Sequence, residues 1–257
     1  MIKTFHSQFK SNGGEPMIDA RELAVTERVK SIELVIPVVS GKGGVGKSTV
    51  AAMLAMALAE RRRVGLLDLD FWGASLHTLL GVEISEFPSE DKGIIPIEFH
   101  GIKFMSAAFY TRNRPLPIRG SEYTDAFLEL MAVTRWDDID ILVIDMPPSL
   151  GDPFLNAVKY LPHGKFVVVT TPSKLSINVA RNTLLLLKEQ GFRIIALVEN
   201  MVVDPDESEA EKLVSEFEVP YLVKLPYSKE LESAIGQVER LKQTKLFEKV
   251  KGLAAIF

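Results

Sequence analysis

Residues 40–50 read Ser40-Gly41-Lys42-Gly43-Gly44-Val45-Gly46-Lys47-Ser48-Thr49-Val50. From Gly41 to Gly46-Lys47-Ser48 the spacing meets the phosphate-loop pattern in full. Such a loop works only between a strand and a helix, and the flanks supply both. Leu34 to Val39 is an apolar run of strand length. Val50 to Ala59 is built from strong helix formers, so the loop feeds a helix N-terminus whose dipole favours an anion. Backbone N–H groups are fixed dipoles with no rotamer entropy to lose, and they converge on phosphate only where no Cβ intervenes. Gly41, Gly43, Gly44 and Gly46 are read as those positions, with Val45 and Thr49 completing the cradle. Lys47 is expected to reach the β- and γ-phosphates of ATP, and the Ser48 hydroxyl to coordinate Mg²⁺.

Beyond the loop, strand-like and helix-like segments alternate without a break. Val64–Asp68, Ile139–Asp145, Lys165–Thr170, Arg193–Val198 and Tyr221–Lys224 read as strands. Residues 19–30, Ser121–Val133, 176–190 and Glu207–Phe217 read as helices, with two more closing the chain. Residues 82–120 are irregular, with short strand candidates at Ile94–Ile97 and Ile102–Met105. This alternation predicts a three-layer α/β/α fold with a mainly parallel central sheet, and ligands bind such sheets at the carboxyl ends of the strands. Residues 1–30 read as a tail and a short helix, and residues 31–257 as a single ATPase domain.

Carboxylates stand where that edge should lie. Asp68 and Asp70 end the second strand, two apart and therefore on one side of an extended chain. Asp145 ends the Ile139–Asp145 strand. A carboxylate after an apolar strand, downstream of a phosphate loop, suits the metal side of a nucleotide site. Asp145 is expected to hold Mg²⁺ through its waters. Asp70 is expected to orient the attacking water beside the metal, and Asp68 is left between a site role and a loop-start role.

Composition narrows the classes further. The formal charge is −4, which leaves no electrostatic footprint for non-specific nucleic-acid binding. No run of 18 apolar residues exists, and the first ten residues lack the apolar stretch of a signal peptide, so a cytoplasmic setting is expected. There is no cysteine, which removes disulfides, thiolate zinc sites and cysteine-ligated clusters built by this chain alone. His6, His77, His100 and His163 are scattered.

Several strings together resemble the Mrp/ApbC branch of the MinD-like, deviant Walker A ATPases. They are Ser40–Thr49, Gly65–Gly73, Val143-Ile144-Asp145-Met146-Pro147-Pro148, Gly151-Asp152, Thr170-Thr171-Pro172 and Val198-Glu199-Asn200-Met201. The resemblance implies an ATP-dependent homodimer serving iron–sulfur or metal-cofactor assembly. In the wider group the early lysine crosses to the partner subunit's ATP, and Lys42 occupies that position. Asp70 matches the water-activating residue. Asn200 matches an adenine-recognising asparagine, whose amide offers the donor and acceptor that adenine's edge needs, and Pro226 lies where backbone flanks the base.

This chain departs from that pattern twice. Iron–sulfur carriers of the branch usually hold a Cys-x-x-Cys pair after Glu-Asn-Met; here the stretch is Val202-Val203-Asp204-Pro205-Asp206-Glu207-Ser208-Glu209. The pair Ser149-Leu150 replaces a usual Gly-Thr in the nucleotide-sensing region. No iron–sulfur cluster is therefore expected on this chain alone, and its output is expected to pass through an unknown client or partner protein.

Two other readings stay open. Leu241, Leu246, Phe247, Val250, Leu253 and Phe257 share a helical face flanked by basic residues, which permits a membrane-bound positioning ATPase of the MinD kind. The default for such a helix is packing against its own domain, with lysines snorkelling at the edge. A nucleotide-gated scaffold with little hydrolysis is the third reading.

Overall fold

The computed structural model describes residues 19–71, 73–84, 87–111, 120–148, 151–161, 163–204 and 208–257. The expected tail, the Ser149-Leu150 pair and the middle of the 202–209 stretch lie wholly or partly outside these residues.

In chain order the elements are α1 (Ala20–Ser31), β1 (Leu34–Val39), α2 (Lys47–Ala59), β2 (Val64–Asp68), α3 (Leu76–Leu80), β3 (Ile97–Phe99) and β4 (Ile102–Ser106). Then come α4 (Ala108–Thr111), α5 (Gly120–Val133), β5 (Ile141–Asp145), α6 (Asp152–Val158), β6 (Lys165–Thr170) and α7 (Lys174–Glu189). The chain closes with β7 (Arg193–Val202), α8 (Ala210–Phe217), β8 (Tyr221–Pro226), α9 (Glu230–Ala234), α10 (Val238–Lys242) and α11 (Lys245–Ala254).

The eight strands lie in the order β3-β4-β2-β5-β1-β6-β7-β8. Every pairing is parallel except β3 with β4. All residues of β1, β2 and β5 are buried, which requires cover on both faces. Helix α2 packs on β1, β2 and β5 and carries α3 and α11 against it. Helices α7 and α8 pack on β6, β7 and β8, while α1, α5 and α6 form a second group. The result is the expected three-layer α/β/α arrangement. Its consequence for the site is positional: β1, β2 and β5 end side by side, with Val38 in register with Asp145, and Asp145 with Asp68.

Helix α1, read from sequence as a polar leader, is joined to this body. Arg21 bridges to Asp125 of α5 at 2.8 Å, and the Tyr160 hydroxyl donates to Glu22.

Several boundaries differ from expectation. The strand expected at Ile94–Ile97 lies at Ile97–Phe99, and Ile94 makes only isolated bridges with Glu90 and Thr134. Pro96 explains the shift, because it has no N–H to give a ladder, so regular pairing starts after it. His100 and Gly101 then both take positive φ, 46° and 78°, in the two-residue turn to β4. Strand β7 runs on to Val202, four residues past its expected end, with a register shift between Glu199 and Val202. The C-terminal segment is three short helices, not two.

Candidate functional site

At the carboxyl edge the P-loop wraps a cavity of about 330 Å³. Ser40, Lys42, Gly43, Gly44, Gly46, Lys47, Ser48 and Thr49 line it from the loop and first turn of α2, joined by Asp70 beyond β2, Ser75 at the start of α3 and Pro148 beyond β5. The sequence-predicted residues of the loop, β2 and β5 are therefore brought together. Lys42 is exposed at the rim, with its backbone carbonyl accepting from the Ser40 hydroxyl at 3.0 Å.

The glycines are not equivalent. Gly43 and Gly44 have no atom within 4 Å of a would-be Cβ, so their open side is left for a ligand. At Gly46, with φ of 83°, a Cβ would lie 2.2 Å from Asn200 Nδ2. At Gly41 it would lie 2.5 Å from Val179 Cγ1 and 2.6 Å from Thr183 Oγ1 on α7. Gly41 is thus a helix-packing position; the sequence reading had placed it among the phosphate-approach positions.

Lys47 and Asp145 form a fully buried ion pair. The other carboxylate oxygen of Asp145, Oδ2, has no hydrogen-bond partner. Burial pushes the Asp145 carboxyl upward, against the pull of Lys47 and Ser48. A buried carboxylate with one open oxygen beside a serine hydroxyl is a donor set that suits a hard divalent cation. The cavity geometry and oxygen chemistry therefore fit Mg²⁺ with a nucleotide.

Asp68, which ends β2, and Asp70, which lies two residues beyond the strand and not within it as expected, divide the labour that sequence left undecided. Asp68 is buried; its Oδ1 accepts the Asp70 N–H and its Oδ2 the Ser106 hydroxyl, each at 3.0 Å. Ser106 Oγ in turn accepts the Ala108 N–H at 3.1 Å. Desolvation, helped by repulsion from Asp145, pushes the Asp68 carboxyl up to about 7. Asp70 faces the cavity, and its Oδ1 accepts the Gly73 N–H at 2.9 Å. Asp68 is an anchor and Asp70 the group presented. Ser106 was not singled out from the sequence, since a serine after an apolar strand carries no motif.

Asn200 is buried against the loop, with Nδ2 donating to the Val45 carbonyl at 2.9 Å. Its donor is engaged by the loop itself in this conformation. Pro226 ends β8 in register with Val202, and the following Tyr227 N–H donates to the Val202 carbonyl at 2.9 Å. A second cavity, of about 410 Å³, adjoins Gly44 and is lined by Thr171, Pro172, Ser173, Met201, Val203 and Asp204; neither Asn200 nor Pro226 lines it. Glu199, next to Asn200, is fully buried with neither carboxyl oxygen hydrogen-bonded, an arrangement for which we have no physical account.

The apolar face of the last helix is already occupied. Leu246, Phe247, Val250 and Leu253 are buried, α11 packs along α2, and Lys251 pairs with Glu60 at 3.3 Å. Among the described residues no helix is long and apolar enough to cross a membrane, and no group of three or more His, Cys, Asp or Glu could hold a metal ion.

Comparison with known proteins gives the family and the fold. A family described as ParA, NUBPL iron-transfer P-loop NTPase, matches residues 31–255. An iron-sulfur cluster carrier protein of Pseudomonas fragi is 37% identical over 242 residues, covering 88% of this chain and 83% of its own. One from Saccharolobus solfataricus is 39% identical over 189 residues, covering 72% of this chain and 64% of its own. Among solved structures, a nucleotide-binding protein in complex with ADP from Archaeoglobus fulgidus superposes with a TM-score of 0.74 at 28% identity, covering 88% of this chain and 95% of that one. The cell division ATPase MinD of Pyrococcus furiosus superposes with a TM-score of 0.65 at 25% identity, covering 88% and 98%.

Proposed function

The chain belongs to the ParA/NUBPL iron-transfer family of P-loop NTPases and is a P-loop ATPase, and from that premise we propose an ATP-driven dimeric switch that serves iron–sulfur or metal-cofactor assembly through a partner protein. The observation that carries the reading is the buried Lys47–Asp145 pair at the floor of a glycine-lined cavity, with Asp145 Oδ2 left open. Lys47 exchanges its carboxylate partner for phosphate oxygens when nucleotide enters. Asp145 and the Ser48 hydroxyl are then free to hold the cation. Mg²⁺ held there would supply positive charge against the negative charge developing on the transferred phosphoryl group and its leaving oxygen. Gly43, Gly44 and Val45 to Thr49 present N–H groups to the phosphates, and Asp70 orients the attacking water.

Lys42, exposed at the rim, is assigned to the nucleotide of a second copy, which makes the homodimer the ATP-bound form. The base lies toward Asn200 and Pro226. Cluster cargo needs ligands from elsewhere, since this chain contains no cysteine. A cytoplasmic setting belongs to the same proposal. The membrane-positioning alternative loses support because the face of α11 that would enter lipid is packed on α2.

Single-turnover hydrolysis of ATP by the wild type and by Asp70→Ala tests the reading. A wild-type rate that depends on Mg²⁺ and collapses in the variant supports a hydrolytic switch. Equal, negligible rates in both would leave a nucleotide-gated scaffold instead.

A further inference from the structure

Helix α5 carries one tyrosine against the backbone beneath Asp70. Tyr123 is completely buried, and its hydroxyl donates to the Leu69 carbonyl at 3.2 Å. That carbonyl belongs to the peptide unit whose N–H is the Asp70 N–H, held at 3.0 Å by Asp68 Oδ1. The Leu69–Asp70 peptide plane is therefore gripped on both edges, by a phenol on one and a carboxylate on the other. On the far side of Asp70 the Phe71 ring meets the Tyr123 ring edge-on, with centroids 5.3 Å apart and planes at 79°. One side chain thus fixes the backbone before Asp70 and the side chain after it.

The hydroxyl is suited to this task. Burial, together with the nearby charges of Asp70, Asp68 and Asp145, pushes its ionisation far above the ordinary phenol range. It stays a protonated donor at any working pH. A neutral donor here adds no charge to a cavity that must accept a triphosphate. By contrast a phenylalanine would fill the same volume and, among the described residues, leave the Leu69 carbonyl with the Phe71 N–H alone, at 3.2 Å.

We propose that Tyr123 is a positioning residue for ATP hydrolysis: its hydroxyl on the Leu69 carbonyl and its ring on Phe71 hold Asp70 at the angle from which it addresses the attacking water. The inference rests on the assignment of Asp70 to that water. Tyr123 is not among the residues that line the cavity, so its removal is expected to act on the chemical step and not on nucleotide binding.

The test is single-turnover ATP hydrolysis and ADP affinity in wild type, Tyr123→Phe, Asp70→Ala and the double variant, with thermal unfolding of each. Loss of orientation of this kind is expected to slow the Tyr123→Phe chemical step about tenfold, short of the ~10²-fold that a 1 Å misplacement costs. ADP affinity should stay within about twofold, and the double variant should be no slower than Asp70→Ala alone. A Tyr123→Phe protein that hydrolyses at the wild-type rate overturns the inference. So does one whose rate and ADP affinity fall together, or whose defect adds fully to that of Asp70→Ala. If Asp70→Ala itself hydrolyses normally, the assignment of Asp70 fails, which is a separate result. Phe71→Leu, which spares the hydroxyl, gives a second entry to the same question and should slow hydrolysis by a smaller factor with ADP affinity unchanged. A Phe71→Leu rate equal to wild type would remove the ring contact from the mechanism.

Discussion

The side-chain amide of Asn200 donates to the main-chain carbonyl of Val45 at 2.9 Å, joining the end of β7 to the phosphate loop across 155 residues of sequence. The contact is buried, and Gly46 lies so close that any side chain there would strike the amide. In this conformation Asn200 braces the loop. A buried hydrogen bond lost at one partner costs about 1–3 kcal/mol, so Asn200→Asp is expected to weaken nucleotide binding by between about 5- and 150-fold. Titration calorimetry with ADP and GDP separates two roles. A brace loses both affinities in proportion, whereas a residue that reads adenine loses ADP alone.

Gly41 makes a different prediction from the other loop glycines. A methyl there collides with Val179 and Thr183 of α7, not with a ligand. Gly41→Ala should therefore destabilise the protein by about 1–3 kcal/mol, the usual range for overpacking. Combining it with Val179→Ala should restore a substantial part of that loss, because the nearest colliding atom is gone. Denaturant unfolding of the two variants checks this. A double variant no more stable than Gly41→Ala would show that Val179 is not the source of the strain and leave it to Thr183 or the loop backbone.

Asp68 gives the stability of the nucleotide-free, metal-free protein a pH slope of unusual sign. Its carboxyl titrates near 7 in the fold, against 3.8 as the ordinary reference. Between these values the folded state keeps a proton that the unfolded chain has released. Stability therefore falls as pH rises through that window, by at most about 1.4 kcal/mol per pH unit, and levels off above 7. Asp68→Asn keeps an acceptor for the Asp70 N–H and removes this titration. Urea unfolding from pH 5 to pH 8 should show a shallower slope in the variant, with a remainder from Asp145, which burial also pushes upward. An unchanged slope would place the titration elsewhere.

The last helix belongs to the core. Phe247 is buried against the rest of the fold, and truncating it to alanine should cost about 3–5 kcal/mol. With that face occupied, the intact protein should not sediment with anionic vesicles in either ATP or ADP. Sedimentation that appears only with ATP would revive a membrane role.

What was legible in the sequence follows from how local each signal is. The phosphate loop, its strand and its helix are contiguous, so pattern and propensity sufficed for the loop's residues. The ends of β2 and β5 were found because a carboxylate closing an apolar run is itself a local sign. By contrast the tasks of Gly41, Asp68 and Asn200 depend on α7, β4 and β7 folding back on the loop, which no spacing encodes. Tyr123 and Ser106 were silent for the same reason, since a buried tyrosine on an amphipathic helix looks like any other core residue. Ile94–Ile97 was misplaced because β-propensity outweighed Pro96, whose missing N–H decided the real edge.

We propose that ATP joins two copies of this chain through Lys42. The most direct test is the molar mass in solution, by light scattering, of the Asp70→Ala protein in Mg-ATP, with and without the further change Lys42→Ala. The expected result is twice the mass of one chain in Mg-ATP, a single chain in Mg-ADP, and a single chain for the Lys42→Ala protein in either nucleotide. A Lys42→Ala protein that doubles its mass with ATP as readily as its parent would contradict it.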